Sequence, residues 1–141
     1  EDIMDWQPGS HASTFGGNPV SCQAAITTIR LLENGLIDNA AKQGAYMIGK
    51  LKELALRYPI IGEVRGLGLM LAVELVTDKE SKAYAVGERD AIVEKAFYKG
   101  LLLLGCGRSA IRFCPPLIVS KNDIDIALSI FEECLRESTK R

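Results

Sequence analysis

The chain has 141 residues, a length suited to one domain, and its 48% hydrophobic and 25% charged content is that of an ordinary globular protein able to build one core. A formal net charge of -1 gives no electrostatic ground for expecting a nucleic-acid or anionic-membrane partner. No apolar run approaches a membrane-spanning length, and the N-terminus lacks a signal-peptide pattern.

Residues 1–17 show little periodicity and read as a loop or arm, and 18–141 as the domain proper. Asn18 is a good helix N-cap and Pro19 suits the first helical position, so a helix is predicted from 19 to about 33. Cys22, Ala25, Ile29 and Leu32 share a face of it, and Asn34-Gly35 stops it. A second helix is predicted near 37–57, with Ile37, Ala41, Ile48, Leu51 and Ala55 as its apolar stripe and Tyr58-Pro59 as its end. Two strands follow, 60–65 and 69–76, with Gly66-Leu67-Gly68 as the turn. The second strand is apolar on both faces, which predicts an interior strand covered on both sides.

Residues 77–87 are polar and read as a surface loop. A third helix is predicted over 88–99, with Ile92, Ala96 and Phe97 inward and Gly100 at its C-terminal end. Short strands are expected at 101–104 and 110–113, with Gly105-Cys106-Gly107-Arg108 as a turn between them and Pro115-Pro116 ending the second. Ser120 and Asp123 have the spacing of a capping box for a last helix, whose stripe is Ile124, Ala127, Leu128, Phe131, Cys134 and Leu135. The fold class is therefore α+β: a small, mainly antiparallel sheet with helices packed on one face.

The cysteines are Cys22, Cys106, Cys114 and Cys134, with no Cys-x-x-Cys pair, and His11 is the single histidine. That inventory offers no zinc site of the usual kind. Two of the cysteines fall on predicted helix faces among apolar neighbours and read as small buried hydrophobes. Reduced thiols fit a cytoplasmic location.

Three segments carry the chemistry. Ser13-Thr14-Phe15-Gly16-Gly17-Asn18-Pro19 places hydroxyls and flexible backbone ahead of a helix N-terminus, an arrangement that can hold a phosphate. Glu63-Val64-Arg65-Gly66-Leu67-Gly68-Leu69-Met70 and Ile111-Arg112-Phe113-Cys114-Pro115-Pro116-Leu117 follow it in order. Together they resemble the class III aminotransferases of the ornithine and 4-aminobutyrate type, which use pyridoxal 5'-phosphate. The second segment is similar to that family's "RG-x-G-L-M" hairpin and the third to its "I-R-x-x-P-P-L" segment. Ala12 departs from the pattern, where the family often has Gly. The resemblance covers nearly the whole chain and implies the family's C-terminal small domain.

The resemblance also implies roles. Thr14 matches the threonine that contacts the cofactor phosphate across a dimer interface. Ser13 is a second phosphate candidate, and equally a local turn residue. Arg112 matches the arginine that binds the substrate carboxylate, for which a guanidinium's paired donors are suited, whereas a lone strand Arg read by itself is a solvated edge residue. Arg65 reads as structural, at a hairpin end. Arg108 matches no motif residue and reads as a surface charge. Glu63 and Glu74 make no convincing acid/base pair. No catalytic residue is assigned within the chain. The family's cofactor-bearing lysine lies upstream, in a large domain, and no lysine here precedes Lys42.

The chain starts at Glu1 and enters almost directly on a motif, which reads as a piece of a longer protein. The resemblance then implies an aminotransferase acting on an amine or amino acid and a 2-oxo acid, inactive as this piece alone. Its implied partners are a large cofactor-binding domain of the same protein and a homodimer or higher homo-oligomer. Two alternatives stand: an aminomutase or amino-acid racemase of the same fold, and a non-catalytic interaction domain.

Overall fold

The computed structural model describes residues 5–138, and they divide after Gly35 into two units. In the first, turns over residues 8–17 lead into helix α1, Pro19–Leu31. Asn18 caps it as its sequence predicts: the side-chain oxygen accepts the N–H groups of Val20 at 3.0 Å and Ser21 at 3.2 Å. No residue of α1 is buried among the described residues, and Cys22 is exposed, against the reading of its face as a core stripe. A wider turn, Leu32–Leu36, ends the helix, with Gly35 at φ +115.

The second unit holds the sheet. Helix α2 spans Ile37–Arg57, strands β1 and β2 span Ile61–Leu67 and Met70–Leu75, and helix α3 spans Val86–Tyr98. Strands β3, Leu104–Cys106, and β4, Ala110–Phe113, precede helix α4, Lys121–Ser138. The four strands run β1-β2-β4-β3, every neighbouring pair antiparallel. One sheet face is the core face. Leu71, Val73 and Leu75 of β2 and Ile111 and Phe113 of β4 are buried there, and residues of α2, α3 and α4 pack against them. Phe113 meets Phe131 of α4 edge to face at 5.1 Å. This is the expected α+β arrangement, with helices on one face.

Several local expectations shift. The hairpin turn is Gly68-Leu69, because Gly66 stays in β1 and pairs with Leu71. Gly66 sits at φ +149, and a Cβ on it would lie 2.3 Å from the Met70 carbonyl oxygen. The buried line of α2 is Met47, Leu51 and Leu54, while Ile37 is exposed, so the predicted stripe is rotated toward the sheet-facing side. The line passes through Gly44, where a Cβ would lie 2.0 Å from the Gly68 carbonyl oxygen; helix and hairpin touch backbone to backbone.

Ile92 and Ala96 of α3 are buried, but Phe97 is exposed. Gly105 and Cys106 belong to β3, so the β3–β4 turn is shorter and later than the sequence suggests. Strand β2 is interior, yet its Met70 side is open, so it is covered on one face among the described residues. The capping box of α4 forms: the Ser120 backbone N–H donates to Asp123 at 3.0 Å and the Asp123 N–H to the Ser120 hydroxyl at 3.2 Å. Its predicted stripe is the buried face, with Cys134 fully enclosed.

Candidate functional site

The N-terminal loop presents hydroxyls, not helix amides. Pro19 has no N–H, Asn18 takes those of Val20 and Ser21, and the Cys22 N–H bonds to the Asn18 carbonyl at 2.9 Å. The first turn of α1 therefore has no free donor for an anion, which corrects the expectation that the helix end itself holds phosphate. Thr14 and Ser13 are exposed, and neither hydroxyl has a partner among the described residues. The Ser13 carbonyl accepts the Gly16 N–H at 3.2 Å, so the local turn is made by its backbone and its side chain stays available. Two free hydroxyls that donate without carrying charge fit one end of a cofactor phosphate. His11 stacks on Trp6, with ring centroids 5.3 Å apart.

The second unit presents the open sheet face. Register places Arg65, Ala72, Arg112 and Leu104 in one row across all four strands. Arg112 is thus on an interior strand and not on an edge, as a lone strand Arg would suggest. It is exposed, and its guanidinium has no hydrogen bond or ion pair among the described residues. Both of its fork edges are open to a carboxylate.

Arg65 differs. Its guanidinium donates to Glu74 at 2.7 Å and to Glu63 at 3.1 Å. Glu63 and Glu74 are direct cross-strand partners, a placement that would be repulsive without a cation between them. The Glu74 carboxylate in turn raises the Arg65 value further. The buried Ser109 hydroxyl lies 3.0 Å from Glu74 and 2.7 Å from the Leu75 carbonyl, one proton serving two acceptors. The structure does bring the two glutamates together, on one concavity of the sheet, and both are engaged by Arg65. Arg65 is not a cap on the hairpin end but the neutralising centre of the open face. A two-residue hairpin turn places Arg65 diagonal to Glu74 on one face, and this is the signal that could have found the pair.

Among the described residues no group of three or more His, Cys, Asp or Glu side chains could hold a metal ion, and no helix is long and apolar enough to cross a membrane.

A family model, Aminotransferase class-III, matches residues 1–135, and the chain belongs to that family. It is 38% identical over 138 residues to an acetylornithine aminotransferase of Caldanaerobacter subterraneus, covering 97% of this chain and 33% of that protein. It is 44% identical to an acetylornithine aminotransferase of Thermosynechococcus vestitus, over 92% of this chain and 31% of the relative. An ornithine aminotransferase of Brevibacillus brevis is 40% identical, over 96% and 31%. The chain thus spans about a third of the length of these relatives. Among solved structures, a Bacillus anthracis aminotransferase superposes with a TM-score of 0.85 at 29% identity, over 96% of this chain and 32% of that one. An amine transaminase from an uncultivated Pseudomonas species, in its pyridoxal-phosphate-bound form, gives 0.84 at 33% identity, over 93% and 30%.

Proposed function

We propose that this chain is the C-terminal small domain of a pyridoxal-phosphate-dependent aminotransferase, with residues 1–17 as the arm joining it to a large domain. The parent enzyme transfers an amino group between an amine or amino acid and a 2-oxo acid. The observation that carries this reading is the family match along residues 1–135, with relatives named for acetylornithine and ornithine transamination.

The chain supplies binding groups. Thr14, assisted by Ser13, donates hydrogen bonds to the cofactor phosphate of a neighbouring subunit in a homodimer; their free hydroxyls support this. The bound cofactor supplies the electron sink that makes amino transfer feasible. Arg112 grips the substrate carboxylate with two parallel bonds and orients the amine end away from the sheet. Its lack of an internal partner supports that role: a guanidinium already paired would have to give up a carboxylate first. Arg65, already paired, holds the sheet surface beside it. A cytoplasmic location agrees with four free cysteines.

The test follows the nitrogen. The parent protein is given an amino donor labelled at its amine, together with 2-oxoglutarate. Label in glutamate supports amino transfer. Label kept on the donor's own skeleton, moved or inverted, assigns the protein to the aminomutases or racemases instead.

A further inference from the structure

A polar concavity that Arg112 does not line lies at the β1 edge. It has a volume of about 730 Å³ and is lined by Arg65, Lys79, Lys82 and Arg108 against Glu63 and Glu74. The lining has a surplus of two positive charges in a chain whose net charge is -1. Both glutamates are taken by Arg65. Lys79, Lys82 and Arg108 pair with no carboxylate among the described residues; Lys79 gives one donor to the Ala55 carbonyl at 3.3 Å.

Three features of the backbone and side chains shape this groove. The β1–β2 register breaks at Gly62, and a Cβ there would lie 2.7 Å from Val76 Cγ1, so any side chain would fill the floor. The Arg108 guanidinium lies over the ring of Tyr84, its Cζ 5.1 Å from the centroid, on the wall of the groove. Lys82 is the one non-glycine residue at positive φ, +53, among the described residues. The loop keeps it there: Lys82 N–H bonds to the Asp78 carbonyl at 3.0 Å, Thr77 N–H to the Ala83 carbonyl at 2.8 Å, and the Asp78 carboxylate takes the Ser81 N–H at 2.7 Å. Lys82, held at positive φ by its loop, shares the lining of the groove with Arg108 and Lys79.

We infer that this groove binds a phosphate dianion, free or as a monoester, gripped by the Arg108 fork with Lys79 and Lys82 as point charges. The groove lies wholly within the sheet unit, and the inference stands whether or not the aminotransferase reading does.

Calorimetric titration of the full 141-residue chain, at constant ionic strength, tests it with inorganic phosphate and with glycerol 3-phosphate. Saturable binding is expected, weakened at least tenfold by Lys82→Gln with Arg108→Gln. Tighter binding of the ester identifies a phosphorylated metabolite as the ligand, and equal binding identifies free phosphate. Lys82→Gly guards against misfolding, because it relieves the positive φ while removing a cation; it should unfold no lower than the parent chain and still bind more weakly. Heats that match chloride, or variants that bind as the parent chain does, overturn the proposal.

Discussion

Arg65 and Arg112 stand in one cross-strand row of the open sheet face with only Ala72 between them, yet carboxylates of the chain neutralise Arg65 and leave Arg112 free. Strands lie about 4.8 Å apart, so the two backbones are separated by roughly 10 Å. Two unpaired arginines at that spacing would repel each other and would accept anions indiscriminately. Glu63 and Glu74 remove one of them from competition. The arrangement gives the row one vacant guanidinium at a defined place.

Arg112→Lys in the parent enzyme should lower kcat/KM for carboxylate-bearing donors, because a point charge cannot reproduce the fork. A matched amine without the carboxylate should lose much less. Steady-state kinetics on the two donors, with thermal unfolding measured beside them, separates recognition from folding. Equal losses on both would make Arg112 a structural residue. Arg65→Gln should behave in the opposite way: it leaves Glu63 and Glu74 facing each other, so the unfolding temperature should fall at neutral pH while the ratio between the two donors is kept.

Thr14→Ala should weaken cofactor retention by the parent enzyme without lowering its stability, since the hydroxyl has no partner among the described residues. Loss of one charge-assisted hydrogen bond costs about 1.5–3 kcal/mol of binding. Equilibrium titration of the cofactor-free enzyme measures it, and an unchanged affinity removes Thr14 from the site.

Gly44→Ala should destabilise the sheet unit. The added Cβ would lie 2.0 Å from the Gly68 carbonyl oxygen, which is backbone and has no rotamer by which to move aside. Overpacking of this kind costs about 1–3 kcal/mol. Gly49→Ala is the control on the same helix, because a Cβ there meets nothing within 4 Å. Urea unfolding should separate the two, with Gly49→Ala neutral or stabilising.

The capping box of α4 makes a pH prediction. The Ser120 hydroxyl and then the Ser120 N–H hold the Asp123 carboxyl below its ordinary value. A depressed folded-state value means that the bond stabilises the fold above the unfolded value, about pH 3.9, and is lost as pH falls through the lower folded one. Asp123→Asn should therefore flatten the acid side of the stability curve below about pH 4. Equilibrium unfolding at a series of acid pH values gives the slope; parallel curves for both proteins would show that the carboxylate is not engaged in solution.

Most of the architecture is legible in the sequence where local chemistry decides it. The bounds of α2, the Asn18 cap, the Ser120–Asp123 box and the α4 stripe all follow from capping residues and a 3.6-residue period. The errors fall where two glycines or two apolar faces compete. Gly66 and Gly68 are equally plausible turn residues, and only cross-strand pairing shows that Gly66 continues the ladder. Ile37, Phe97 and the apolar residues of α1 are uncovered among the described residues, because a period reports an apolar stripe and not what lies against it. At the candidate site, Thr14 and Arg112 come from motifs. The ion pairing that sets Arg65 apart from Arg112, and the assembly of Lys79, Lys82 and Arg108, depend on side chains brought together across loops and strands.

The central claim is that this chain contributes binding groups to an aminotransferase site without holding the reaction itself. It is tested most directly by assaying glutamate formation from an amino donor and 2-oxoglutarate, with added pyridoxal phosphate, for the parent protein and for this chain alone. The account predicts steady turnover by the parent and none by the chain. Turnover by the chain that survives repurification, or a parent protein that binds the cofactor and transfers no amino group, would contradict it.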